Sequence, residues 1–132
     1  MNKQHRSTTI ITLLSGLLLA LAAASALAAT SNKWRLQFSG DAGTDGTIVV
    51  QLLPEGSKPV DVSIPITKGT GENDVAKAVV QGLKAQLPKS AFSVERDDGE
   101  DVLIKKRSNT PKFEVTITSN SVEGVRIVPG RE

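Results

Sequence analysis

The sequence predicts a small α+β domain behind an export signal. The domain should be an antiparallel sheet of about seven short strands, in the order β-β-β-α-β-β-β-β, with one amphipathic helix packed on its apolar face. Short segments along the chain alternate apolar and polar residues with a period of two. A single segment, around Val75 to Leu87, carries the helical period instead. The connections are short and rich in Gly, Pro and Asp, which favours antiparallel neighbours. A β-sandwich or barrel carrying one helix is the alternative arrangement.

The first residues read as a secretory signal. Lys3 and Arg6 open the chain, Ile10 to Ala29 is uncharged and rich in Leu and Ala, and Ala26-Leu27-Ala28 places small residues where export peptidases read them. Cleavage is expected after Ala28, giving residues 1–28 as the signal and 29–132 as one domain. Ala24-Ser25-Ala26 and Leu27-Ala28-Ala29 are neighbouring matches. An uncleaved anchor is the alternative, since the apolar stretch is long enough to span a bilayer. Ser15, Gly16 and the Ala-rich end argue for the peptidase. The pattern is that of a bacterial export signal, so the periplasm or the extracellular space is the expected location, with no membrane span after cleavage.

The domain's elements follow in order. Trp34, Leu36 and Phe38 alternate with Arg35 and Gln37, a half-buried strand. Gly40 to Gly46 is a loop by composition. Thr47 to Leu53 is the second strand, with Ile48, Val50 and Leu52 on one face. Pro54 to Pro59 is a turn. The third strand alternates Val60, Val62, Ile64 and Ile66 with Asp61, Ser63 and Pro65. Pro65 lacks an N–H, which places that end at a sheet edge or a bulge.

The helix gathers Val75, Ala76, Val79, Val80, Leu83 and Leu87 within an arc of about 140°, broken only by Gln86. Asn73 is the expected N-cap, Glu72 and Asp74 suit the positive end of the dipole, and Pro88 ends the helix. Gly82 weakens its middle by about 1 kcal/mol relative to Ala. Beyond the helix, Asp97-Asp98-Gly99 fits a three-residue hairpin loop with Gly99 at the positive-φ position. That register pairs Arg96 with Glu100 as an ion pair, Val94 with Val102 and Phe92 with Ile104. Phe113 to Ile117 and Val125 to Ile127 complete an expected antiparallel meander from Phe92 to Val128.

Composition narrows the chemistry. The full chain carries 16 Lys and Arg against 14 Asp and Glu. Two of the cations, Lys3 and Arg6, lie in the signal, and every acid lies after residue 29, so the mature charge is 14 − 14 = 0. A neutral domain has no global attraction to nucleic acid. There is no Cys and no Tyr, and the one His is His5, inside the signal. The domain therefore holds together without disulfides. It also lacks the commonest general base, soft metal ligands and thiol nucleophile.

Several clusters bear on function. Asp41 to Gly46 has oxygen ligands at calcium-loop positions one and five, but Gly43 stands at three and Leu52 at twelve, so a Gly/Asp turn is the expectation. Asp97, Asp98, Glu100 and Asp101 are the weak metal candidates, at a hairpin tip better read as a solvated turn. Lys68-Gly69-Thr70-Gly71-Glu72 lacks the spacing of a phosphate loop, and its acids would repel a phosphate. Lys105, Lys106 and Arg107, with Lys112 nearby, form a basic run without stacking aromatics, and alternation splits Lys105 from Lys106. Trp34 alternates with Leu36 and Phe38, which marks it as core. No catalytic or cofactor-binding set emerges.

The expectation is an exported, non-enzymatic binding, accessory or surface-structural module. Its partner would be a protein or glycan of the cell envelope, or a second copy paired through edge strands, for which Trp34–Phe38 and Val125–Val128 are the candidates. A small periplasmic hydrolase and a divalent-ion-dependent module are the alternatives.

Overall fold

The computed structural model describes residues 29–132. The signal segment, residues 1–28, lies outside the described residues. Chain order is β1 (Lys33–Ser39), β2 (Gly46–Pro54), β3 (Val60–Ile66), α1 (Glu72–Gln86), β4 (Phe92–Asp97), β5 (Asp101–Lys106), β6 (Phe113–Asn120) and β7 (Arg126–Arg131). The α+β class is as the periodicities predict. The seven strands divide into two antiparallel sheets, ordered β4-β5-β1-β7 and β3-β2-β6, which do not close into a barrel.

One face of each sheet is apolar, and the two faces with α1 enclose a single core. Leu36, Ile48, Val50, Leu52, Leu83 and Ile104 have no exposure to solvent. The helix packs between the β3 and β4 edges, and also touches β1 and β5. It buries Val75, Ala76, Val79, Val80 and Leu83, the stripe its periodicity marks. Gln86, the polar residue on that stripe, stays exposed and donates from Nε2 to the Ser63 carbonyl at 3.0 Å. At Gly82 the helix comes so close to β3 that a Cβ would lie 2.6 Å from Ile64 Cγ1. Trp34 is core, with its indole N–H donating to the Phe113 carbonyl at 2.7 Å.

Four local expectations are corrected. The meander from Phe92 to Val128 does not form. Only the β4–β5 hairpin survives of it: β6 pairs with β2 in the other sheet and β7 pairs with β1. The strand Trp34–Phe38 is consequently not an edge, since β5 and β7 flank β1, whereas the last strand is an edge as expected. The hairpin loop is Asp98-Gly99-Glu100, closing on Asp97 opposite Asp101, so Arg96 faces Val102 and Val94 faces Ile104. A slip of two residues preserves which face is apolar, which is why alternation could not detect it. The Arg96–Glu100 pair is accordingly replaced by Lys105–Glu95 at 2.9 Å and by Arg35 bound to Asp97 and Asp101.

The fourth correction is the cap. The N-cap residue is Gly71, with no side-chain cap of its own, and Asn73 lies inside the helix. The acceptor comes from a distant loop: Asp41 Oδ1 receives the Glu72 N–H at 3.0 Å. Pro65 sits on β3, an edge strand, as its missing N–H requires.

Candidate functional site

The loops singled out by sequence are held by internal bonds. In the Asp41–Gly46 loop, Asp41 caps α1 and Asp45 Oδ1 accepts the Lys68 N–H at 2.7 Å. Gly40 N–H donates to Glu72 Oε2 at 2.8 Å, and Gly43 N–H donates to the Glu123 carbonyl at 2.8 Å. The loop therefore ties the start of α1 to the β6–β7 turn. Lys68 to Glu72 is the strand-to-helix turn, and its first helical N–H is already taken by a carboxylate.

The acidic candidates separate. Asp97 and Asp101 face each other across β4 and β5 and both accept from Arg35 Nη1, at 3.1 and 2.7 Å. Asp98 and Glu100 lie in the turn. Arg35 also binds Glu132, which bonds Lys33 at 3.4 Å. The Arg35 hydrogen bond, followed by that of Lys33, holds the Glu132 carboxyl below its ordinary value, and the bonds from Arg35 to Glu132, Asp101 and Asp97 hold its guanidinium still more firmly protonated. This network covers Leu103, which is buried on the outer face of the sheet. Among the described residues, no group of three or more His, Cys, Asp or Glu is placed to hold a metal ion.

The basic run also divides. Lys105 faces outward, paired with Glu95, while Lys106 stands opposite Phe92 on the other face. Arg107 reaches instead to the segment that follows α1. It donates from Nε to the Lys89 carbonyl at 2.6 Å and from its backbone N–H to the Ala91 carbonyl at 2.8 Å. Lys112 is exposed just ahead of β6.

Those contacts frame a groove of about 360 Å³ between the C-terminal turn of α1 and the start of β4. Its floor is Leu83, Leu87, Phe92 and Val94, all buried in the core. Its rim carries Lys84, Lys89 and Arg107 and no carboxylate, and none of these cations is in an ion pair among the described residues. Lys84 sits in the last helical turn, where a cation also suits the dipole. Lys89 and Arg107 lie beyond the helix and concentrate positive charge at the groove without that role. Periodicity could not group these residues, because Arg107 meets Lys89 only through the β4–β5 hairpin.

No protein-family model matches the chain, and no curated protein matches it. Among the described residues, no helix is long and apolar enough to cross a membrane.

Proposed function

We propose that this protein is an exported, non-enzymatic binding module that engages a partner of the cell envelope through the groove between α1 and β4. The observation that carries the reading is a concave site with an apolar floor and three cations without acidic partners, in a domain whose mature charge is zero. Elsewhere Arg35, Lys33 and Lys105 are paired with carboxylates. Local charge left uncompensated on one concave surface is what complementarity to a partner requires. Export rests on the basic, apolar and A-x-A pattern of residues 1–28. The mature chain lacks His, Cys and Tyr, which supports binding over catalysis.

Site-directed photocrosslinking in the producing cells tests both parts. A photoreactive residue at Lys89 should give discrete envelope adducts of a chain beginning near residue 29. The same residue at Lys58, in the exposed β2–β3 turn, should not. Equal adducts at both positions, or none at Lys89, would remove the groove as the binding surface. A full-length chain retained in the cytoplasm would remove export.

A further inference from the structure

The groove runs along the edge of a strand. Three consecutive residues, Phe92, Ser93 and Val94, line it, so it follows the backbone of β4 instead of lying over one face. β4 pairs only with β5. In an antiparallel ladder, hydrogen-bonded pairs alternate with pairs whose N–H and C=O groups point outward. The Arg107 N–H bonds the Ala91 carbonyl, and these residues continue the β4–β5 register, in which Phe92 faces Lys106. That sets the phase: Ser93, Glu95 and Asp97 bond β5, while Val94 and Arg96 turn their backbone groups to the open side. The other side of β5 agrees. Lys106 N–H donates to the Asn32 carbonyl and Phe38 N–H donates to the Glu100 carbonyl, so the even-numbered residues of β5 address β1.

Phe92 N–H is satisfied by the Pro88 carbonyl at 3.1 Å. Among the described residues, no loop, cap or side chain takes the N–H or C=O of Val94 or Arg96. Val94 is 7% exposed, and the groove is the opening beside its backbone. The other three edges each carry a proline or a bulge, whereas β4 carries neither and has α1 packed beside it. β3 has Pro65, β7 has Pro129, and β6 is bulged where its register with β2 shifts between Val49 and Val50. β4 has no proline, and its register with β5 is unbroken.

We infer that β4 is an acceptor edge and that the groove's occupant is an extended acidic segment of a partner protein, added as a further strand beside Val94 and Arg96. This rests on the binding-module reading above and names the partner's chemistry. The strand's backbone would satisfy the groups at Val94 and Arg96. Its side chains alternate, so one set meets the Leu83 and Leu87 floor and the rim of Lys84, Lys89 and Arg107. Carboxylates beside apolar residues fit that set. A second copy of this chain, paired through β4, is the competing occupant.

Selection of displayed random decapeptides on the purified protein tests the inference. Enriched peptides should carry Asp or Glu at alternating positions. The Lys84→Glu/Lys89→Glu variant, altered only at exposed positions, should bind them at least about tenfold more weakly, as expected when rim charges are reversed. In the complex, hydrogen exchange at the Val94 and Arg96 amides should slow, while the Ser93 and Glu95 amides, already bonded to β5, should change little. Enrichment of acid-free peptides, or acidic peptides that leave the Val94 and Arg96 amides unprotected, would overturn strand addition. Light scattering that shows a concentration-dependent dimer protecting the same amides would overturn the acidic partner in favour of self-pairing. Adducts at Lys89 without amide protection would sink this inference alone, whereas their absence would sink the binding-module reading as well.

Discussion

Replacing Gly82 by Ala separates local propensity from packing, because the two predict opposite signs. In an isolated helix the change stabilises by about 1 kcal/mol. In this fold the new methyl would stand 2.6 Å from Ile64 Cγ1 and 3.7 Å from its Cβ and Cδ1. Ile64 is 2% exposed, and it is β-branched on a strand, so it has little freedom to turn aside. Overpacking of this kind costs about 1–3 kcal/mol, which outweighs the propensity gain. Gly82→Ala should therefore lose about 1 kcal/mol net and lower Tm by about 5 °C in a domain of this size. Ile64→Ala removes the opposing atom, at a cost of about 2–5 kcal/mol by itself. In that background Gly82→Ala should turn favourable by about 1 kcal/mol, a coupling of about 2 kcal/mol between the sites. Urea unfolding followed by fluorescence of Trp34, the only tryptophan and a buried one, measures all four corners. A native-background Gly82→Ala protein more stable than wild type would refute the reasoning, since the helix would then have moved off β3 without penalty.

Three further outcomes are expected. Asp41→Ala removes the acceptor of the Glu72 N–H and should destabilise by about 1 kcal/mol, as for a lost N-cap, despite lying far from the helix in sequence; a neutral change in urea midpoint would show that water replaces the carboxylate. Arg35 lowers the Glu132 pKa from its ordinary 4.5, so the pair's contribution is present above that pH and disappears as pH falls through the lowered folded value. Wild type should accordingly lose stability below pH 4.5 more steeply than Glu132→Gln, and parallel acid limbs in a pH series of Tm would contradict this. Millimolar calcium should leave Tm unmoved, because Asp97 and Asp101 are already engaged by Arg35; a rise with calcium would revive a divalent-ion-dependent role for the hairpin.

Much of the local structure was legible in the chain. Trp34, Leu36 and Phe38 point inward as their alternation requires, and α1 buries the stripe its period marks. Pro65 lies on an edge because no central strand tolerates a missing donor. The misses share a cause. The β4–β5 register slipped by two residues because both registers keep Val94, Val102 and Ile104 on one face. Asn73 was the better cap by residue type, but helix α1 starts at Glu72 because a carboxylate is delivered there by Asp41. The groove was illegible for the same reason: Lys84, Lys89 and Arg107 belong to three different segments.

The sequence by itself determined the class of each segment and which of its faces is apolar, since those follow from periods of two and 3.6 residues within a few neighbours. It also determined the absence of His, Cys and Tyr from residues 29–132, and hence the chemistry left to them. Only the tertiary structure decided which strands are neighbours, that β1 is central and β4 an edge, and that three cations from separate segments meet over an apolar floor. Pairing between distant strands is chosen by how all the apolar faces close over one core together. No single segment carries that choice in its own pattern.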